Sequence, residues 1–272
     1  MTKLPYAELH AFADGDRPFT GNPAGVCLLE RWPDNRMLLG IALSNNLSET
    51  AFLVPKAGES DTWELRWFTP TVEVDLCGHA TFASGAWLFG QDAVAGGEAK
   101  FDTRSGRLTV RRDGELFAMD LPKVGFEPGV SNPLIEEALG GGVPDAVFDV
   151  KRIHGADYKL IVYPDEGVIA HMKPDHGALA IANTNTIVTA PGDRTDFVSR
   201  FFAPASGVPE DPVTGSAHCT LAPYWAQRLG KSRLTARQIG PRPGALDVAP
   251  YGERVTLIGR AQPYLDGHLT LP

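Results

Sequence analysis

Arg66-Trp67-Phe68-Thr69-Pro70 leads into Asp75-Leu76-Cys77-Gly78-His79-Ala80-Thr81, and Arg200-Phe201-Phe202-Ala203-Pro204 leads into Asp211-Pro212-Val213-Thr214-Gly215-Ser216-Ala217. Each stretch reads as an Arg-aromatic-Phe-x-Pro strand, an acidic loop, and a glycine that opens an apolar helix. Arg200 follows Arg66 by 134 residues, and Gly215 follows Gly78 by 137. A strand-loop-helix that occurs twice predicts two similar halves about a pseudo-twofold axis. The two helix starts are then expected to meet at one cleft, with different side chains at matching places.

Working outward, the flanking segments repeat the plan. Asn45-Asn46-Leu47-Ser48-Glu49 through Pro55 corresponds to Asn183-Thr184-Asn185 through Pro191, which sets Glu49 opposite Asn185. Strands are expected at 7–12, 24–29, 50–54 and 62–68, with helical spacing over 37–43. Gly78 to Phe89 is apolar almost all round, so it predicts a helix buried on all sides. Asp113-Gly114 between two apolar runs signals a hairpin. The Pro- and Gly-rich stretch 121–144 reads as the connection between halves. Further strands are expected at 159–163, 186–189, 200–202, 247–249, 254–258 and 268–271. A short helix is expected at 174–182. A second central helix is expected at 217–229, where Pro223 marks a kink or an unusual start. The fold class is α+β: two pseudo-symmetric halves, 1–120 and 121–272, each a curved, barrel-like, mostly antiparallel sheet around a central apolar helix. No Gly-x-Gly-x-x-Gly follows the first strand, which disfavours a dinucleotide-binding layout.

The bulk numbers narrow the function. The chain has 272 residues, 43% hydrophobic and 21% charged, enough for packed cores. A net charge of −8 leaves no basic excess for nucleic acid or an anionic membrane. A small anionic metabolite remains compatible, because a helix terminus acts locally while distant charge is screened within about 8 Å. Three cysteines form no disulfide framework, the N-terminus lacks a signal-peptide core, and no apolar run approaches the roughly 20 residues of a membrane span. The expectation is a cytoplasmic protein.

The first turn of a helix leaves N–H groups unpaired and carries partial positive charge. Gly78-His79 and Gly215-Ser216 could therefore grip a carboxylate, or each glycine could simply make a tight turn. Glu49, at the entry to an apolar strand, could serve as a base or be solvated. His79 would be disfavoured as imidazolium beside a helix dipole. Asp211 could orient a histidine or polarise an amine, or only begin the Asp211-Pro212 turn. Ser216 could bond the ligand or cap its own helix. Asp75 is the parallel, weaker acid of the first half. The histidines at 10, 79, 154, 171, 176, 218 and 268 show no metal-ligand spacing, and neither a phosphate-binding loop nor a Gly-x-Ser-x-Gly elbow occurs. No metal and no cofactor is expected.

Five motifs in order, 19–24, 46–50, 66–70, 77–81 and 211–217, resemble the phenazine-biosynthesis (PhzF-like) isomerase family over nearly the whole chain. The resemblance implies the diaminopimelate-epimerase-like fold, usually as a homodimer, with a C-terminal strand of about 263–272 returning to the first half. It implies a cofactor-free shift of a proton between carbons of a carboxylate-bearing metabolite. Glu49 would be the acid/base residue, with His79, Asp211 and Ser216 completing the catalytic set. Gly78 and Gly215 would hold the carboxylate, and Ser48 and Asn22 would line the substrate. Related racemases use two opposed cysteines. Cys77 lies near one such position, the second-half loop has none, and Cys77 reads as a small buried residue. An epimerase or racemase of the same fold, and a metabolite-binding protein without turnover, are the rival readings.

Overall fold

The computed structural model describes residues 2–151 and 157–271, so His154 lies outside the described residues. The chain divides into two compact units, Met1–Asp120 with Ile258–Pro272, and Leu121–Leu257.

The first unit opens with strands β1 (Thr2–Ala13) and β2 (Asn22–Leu28), helix α1 (Asn35–Asn45), and strands β3 (Glu49–Pro55), β4 (Thr62–Phe68) and β5 (Glu73–Val74). Helix α2 (Gly78–Gly90) follows, then β6 (Glu98–Thr103), β7 (Gly106–Asp113) and β8 (Leu116–Pro122). Asp34 caps α1 by accepting from the Met37 N–H, and Asn46 ends it in the left-handed conformation, as the Asn-Asn break suggested. Alternation sorts the strand residues. Phe52, Val54 and Phe68 turn to the outer side and pack with Leu38, Ile41 and Ala42 of α1. Glu49, Ala51, Leu65 and Trp67 take the opposite face, toward α2. Every residue of α2 from His79 to Phe89 is buried. At Gly85 an added Cβ would stand 2.5 Å from Val110 Cβ, so the glycine permits a close helix–sheet approach. β2 runs parallel to β3 and β4 parallel to β6, whereas β1–β2, β3–β4, β6–β7 and β7–β8 are antiparallel. The last strand of the chain pairs with both β1 and β8 and closes an eight-stranded barrel around α2.

The second unit repeats the plan with β9 (Phe126–Pro128), α3 (Pro133–Leu139), β10 (Ala146–Val150), β11 (Asp157–Val162), α4 (Glu166–His171), α5 (His176–Ile181), β12 (Thr184–Pro191), β13 (Phe197–Ala203) and β14 (Val208–Asp211). Helix α6 (Gly215–Leu229), β15 (Leu234–Gln238), β16 (Gly244–Tyr251) and the start of β17 (Arg254–Leu271), as far as Leu257, complete it. The parallel pairs are β11–β12 and β13–β15.

Two sequence expectations need correction. The stretch 121–144 contains β9 and α3, and Ile135, Ala138 and Leu139 of α3 are buried in a core with Ile161, Val188 and Phe202. Its Pro and Gly are punctuation: Pro133 starts α3 and Gly140 ends it. The strands expected at 254–258 and 268–271 are one strand, β17, whose second half zips along β1 from Arg260↔Ala13 to Leu271↔Thr2. The second central helix starts at Gly215 and keeps Pro223 inside. Proline cannot donate to the Cys219 carbonyl, and that oxygen instead accepts from the Val124 N–H at 3.1 Å.

Candidate active site

The duplicated loops are held by the same device. Arg66 forks onto Glu73 through Nε–Oε1 at 2.7 Å and an N–H to Oε2 at 2.8 Å, and Arg200 forks onto Glu210 at the same two distances. Each guanidinium also lies over the ring two residues on, Phe68 at 5.2 Å and Phe202 at 4.9 Å. Each glutamate precedes its helix glycine by five residues. A bidentate Arg–carboxylate pair fixes orientation as well as distance. It therefore pins the chain just before the helix starts. Alignment on the helix caps also corrects the expected match of acids: Cys77 corresponds to Thr214, so Asp211 corresponds to Val74. Asp75 is exposed, 3.6 Å from Arg104.

Both helix starts lack a side-chain cap. Asp34, Asn132, Asp165 and Asp175 cap α1, α3, α4 and α5 through their side chains, but Cys77 and Thr214 do not cap α2 and α6. The first intrahelical bonds are Thr81 N–H to the Cys77 carbonyl and His218 N–H to the Thr214 carbonyl. The N–H groups ahead of them have no intrahelical partner. Each cap carbonyl is also taken by the side chain four residues on, Thr81 Oγ1 at 2.6 Å and His218 Nδ1 at 2.8 Å. Ser216 lies at the second position of α6, not at its cap, which corrects the capping alternative.

In the first unit Glu49, Cys77 and His79 come together. Glu49 opens β3 beside Ala24 of β2, and Asn22, fully buried, begins β2. His79 Nε2 lies 3.3 Å from Glu49 Oε2, and His79 Nδ1 lies 3.5 Å from Cys77 Sγ. The Glu49 side chain is 18% exposed and that of His79 8%. Burial pulls the His79 pKa down to about 4, against a smaller raising effect of the Pro23 carbonyl. The imidazole is therefore neutral near pH 7, chiefly through desolvation. Glu49, Cys77 and His79 each offer a ligand atom within 4.8 Å of the others. The ring, however, presents different nitrogens to the thiol and the carboxylate. Ser48 precedes Glu49 on the bend into β3 and is half-buried.

In the second unit Thr214 Oγ1 donates to Asp211 Oδ2, and Gln238 ties the loop together. Gln238 Oε1 accepts from the Thr214 N–H at 2.9 Å, and its Nε2 donates to the Asp211 carbonyl at 2.6 Å. The Ser216 hydroxyl makes no hydrogen bond among the described residues. Asn185, in register with Tyr158 of β11, donates to Ser206 Oγ at 2.9 Å. Sequence reasoning singled out neither Gln238 nor the contact of Cys77 with His79. The repeated Glu, five residues before each glycine, was a signal that could have identified the Arg–Glu clasps.

A family model described as phenazine biosynthesis-like protein matches residues 9–267. An uncharacterized isomerase of Pseudomonas aeruginosa is 48% identical over 270 residues, covering 99% of this chain and 100% of that one. The human phenazine biosynthesis-like domain-containing protein is 38% identical, covering 98% and 99%. The crystal structure of a PhzF-family protein from Enterococcus faecalis superposes with a TM-score of 0.91 at 39% identity, covering 99% and 100%. A probable proline racemase from Agrobacterium radiobacter, at 12% identity and a TM-score of 0.64, shares the fold.

Proposed function

This chain belongs to the phenazine biosynthesis-like protein family and is an enzyme of isomerase type, and from that premise we propose that it moves a proton on a small carboxylate-bearing metabolite without a cofactor. Glu49 is the acid/base residue in this reading. His79, Asp211 and Ser216 complete the catalytic set. Gly78, Gly215, Ser48 and Asn22 hold the substrate, and the enzyme works as a cytoplasmic homodimer.

The observation that carries the reading is the pairing of an ionisable carboxylate with a neutral, buried imidazole at the start of a helix that no side chain caps. A carboxylate can take a proton from carbon and return it elsewhere, and a neutral imidazole can donate a hydrogen bond without adding a charge. Uncapped first-turn N–H groups favour an anion close by. The second thiol of a two-base racemase has no counterpart, because the residue matching Cys77 is Thr214. That supports a single carboxylate base over a thiol pair.

The test is solvent exchange. A panel of small amino and hydroxy carboxylic acids is incubated with the enzyme in heavy water, and deuterium uptake is read by mass spectrometry. Glu49→Gln keeps the shape and removes the base, so exchange should fall at least about 100-fold, while ligand-induced thermal stabilisation persists. Undiminished exchange in that variant rejects Glu49 as the base.

A further inference from the structure

Thr214 occupies the cap position of α6, and threonine is among the residue types that cap helices. Its backbone, at φ −109° and ψ 100°, already has the extended conformation of a cap. Its side chain nevertheless makes no cap hydrogen bond. Gln238 supplies the reason. It ends β15 and is 1% exposed. The Thr214 N–H can only donate and the Asp211 carbonyl can only accept, so together they fix which end of the Gln238 amide is oxygen. The other Nε2 hydrogen is then directed to Thr214 Oγ1, 3.2 Å away. A hydroxyl carries one hydrogen. With Nε2 on the acceptor side of Oγ1, that hydrogen goes to Asp211 Oδ2. Donor and acceptor sides of the hydroxyl are thus both engaged away from the helix.

We propose that Gln238 is a positioning residue that withholds the Thr214 hydroxyl from α6 and aims it at Asp211, so that the first-turn N–H groups of Ser216 and Ala217 stay uncapped. The use of that uncapped turn rests on the function proposed above, in which Gly215 helps to hold a carboxylate and Asp211 belongs to the catalytic set. The withheld cap does not, because it is measured on the free protein.

A residue that merely braced the loop would loosen the start of α6 when removed. Gln238 has the opposite expectation. Without its amide, Thr214 turns onto its own helix and caps it. The experiment is amide hydrogen exchange followed by NMR on the full 15N-labelled chain at pH 7. In the wild type, both side-chain amide protons of Gln238 should exchange far more slowly than those of Gln91, which is exposed. In Gln238→Met, exchange at Ser216 or Ala217 should slow about fivefold, the worth of an added cap. Adding Thr214→Val to that variant should abolish the gain. Thr214→Val in the wild-type background should leave exchange at Ser216 and Ala217 unaltered. Retained protection in β11 to β13 certifies that each variant is folded.

Rapid exchange of the Gln238 side-chain protons in the wild type overturns the proposal, whether or not Gln238→Met folds. Unchanged or faster exchange at both Ser216 and Ala217 in folded Gln238→Met overturns it as well. So does faster exchange there in the single Thr214→Val variant, since the hydroxyl would then already be a cap. Activity retained by Glu49→Gln would defeat the functional reading and leave the withheld cap standing.

Discussion

Glu49 and Asn185 occupy the same place in the two units. Each lies six residues before the proline that ends its strand, and each strand pairs in parallel with the one before it. One side chain is ionisable and the other is an amide tied to Ser206. The duplication thus conserves position while the chemistry diverges. The two buried histidines carry a further consequence. Burial lowers the pKa of both His79 and His218 from 6.5 to about 4. Between those values the unfolded chain binds a proton that the folded chain refuses, so stability rises with pH. The contribution is complete above pH 6.5, is lost as the pH falls toward 4, and is on the order of 3 kcal/mol for each ring. His218→Asn keeps an amide N–H for the Thr214 carbonyl but does not titrate. Urea unfolding at pH 7 and pH 5 should show a shallower pH dependence in the variant, by about one proton. Equal slopes would mean that His218 is not neutral in the folded state.

The two Arg–Glu clasps show how one element can be repeated with unequal weight. Both pin the loop before a central helix. Arg200, however, is nearly buried and also donates to the carbonyls of Ile169 and Met172, at 3.1 and 2.9 Å. Arg66 is more exposed and adds Asn35. Removing one partner of a buried pair strands the other charge, at a cost of about 3–5 kcal/mol. Arg200→Ala should lose that much in urea titration, and Arg66→Ala clearly less, about 1–3 kcal/mol. A larger loss at Arg66 would contradict the ranking. These clasps were half legible in the sequence. The repeated arginines stood out at once. Their partners did not, because an acid several residues away can pair or be solvated, and only the packed loop decides which.

At the scale of the whole molecule, β17 gives its first residues to one unit and the remainder to the other, where it completes the barrel around α2. A chain ending at Leu257 should therefore lose amide protection in β1 and β2 while β11 to β13 stay protected in hydrogen exchange. Full protection of β1 in that truncation would show that closure by β17 is dispensable. Among the described residues no helix is long and apolar enough to cross a membrane. The sequence by itself determined the duplication, the two central helices and most strands flanking them. Those features are written in neighbouring residues: hydrophobic period, glycine and proline punctuation, and the Arg-aromatic-Phe-x-Pro strand. Tertiary structure alone decided that stretch 121–144 folds into β9 and α3, and that Cys77 meets His79 beside Glu49. These outcomes depend on which side chains are desolvated together and which hydrogen-bond partners lie within reach, quantities that no local pattern carries.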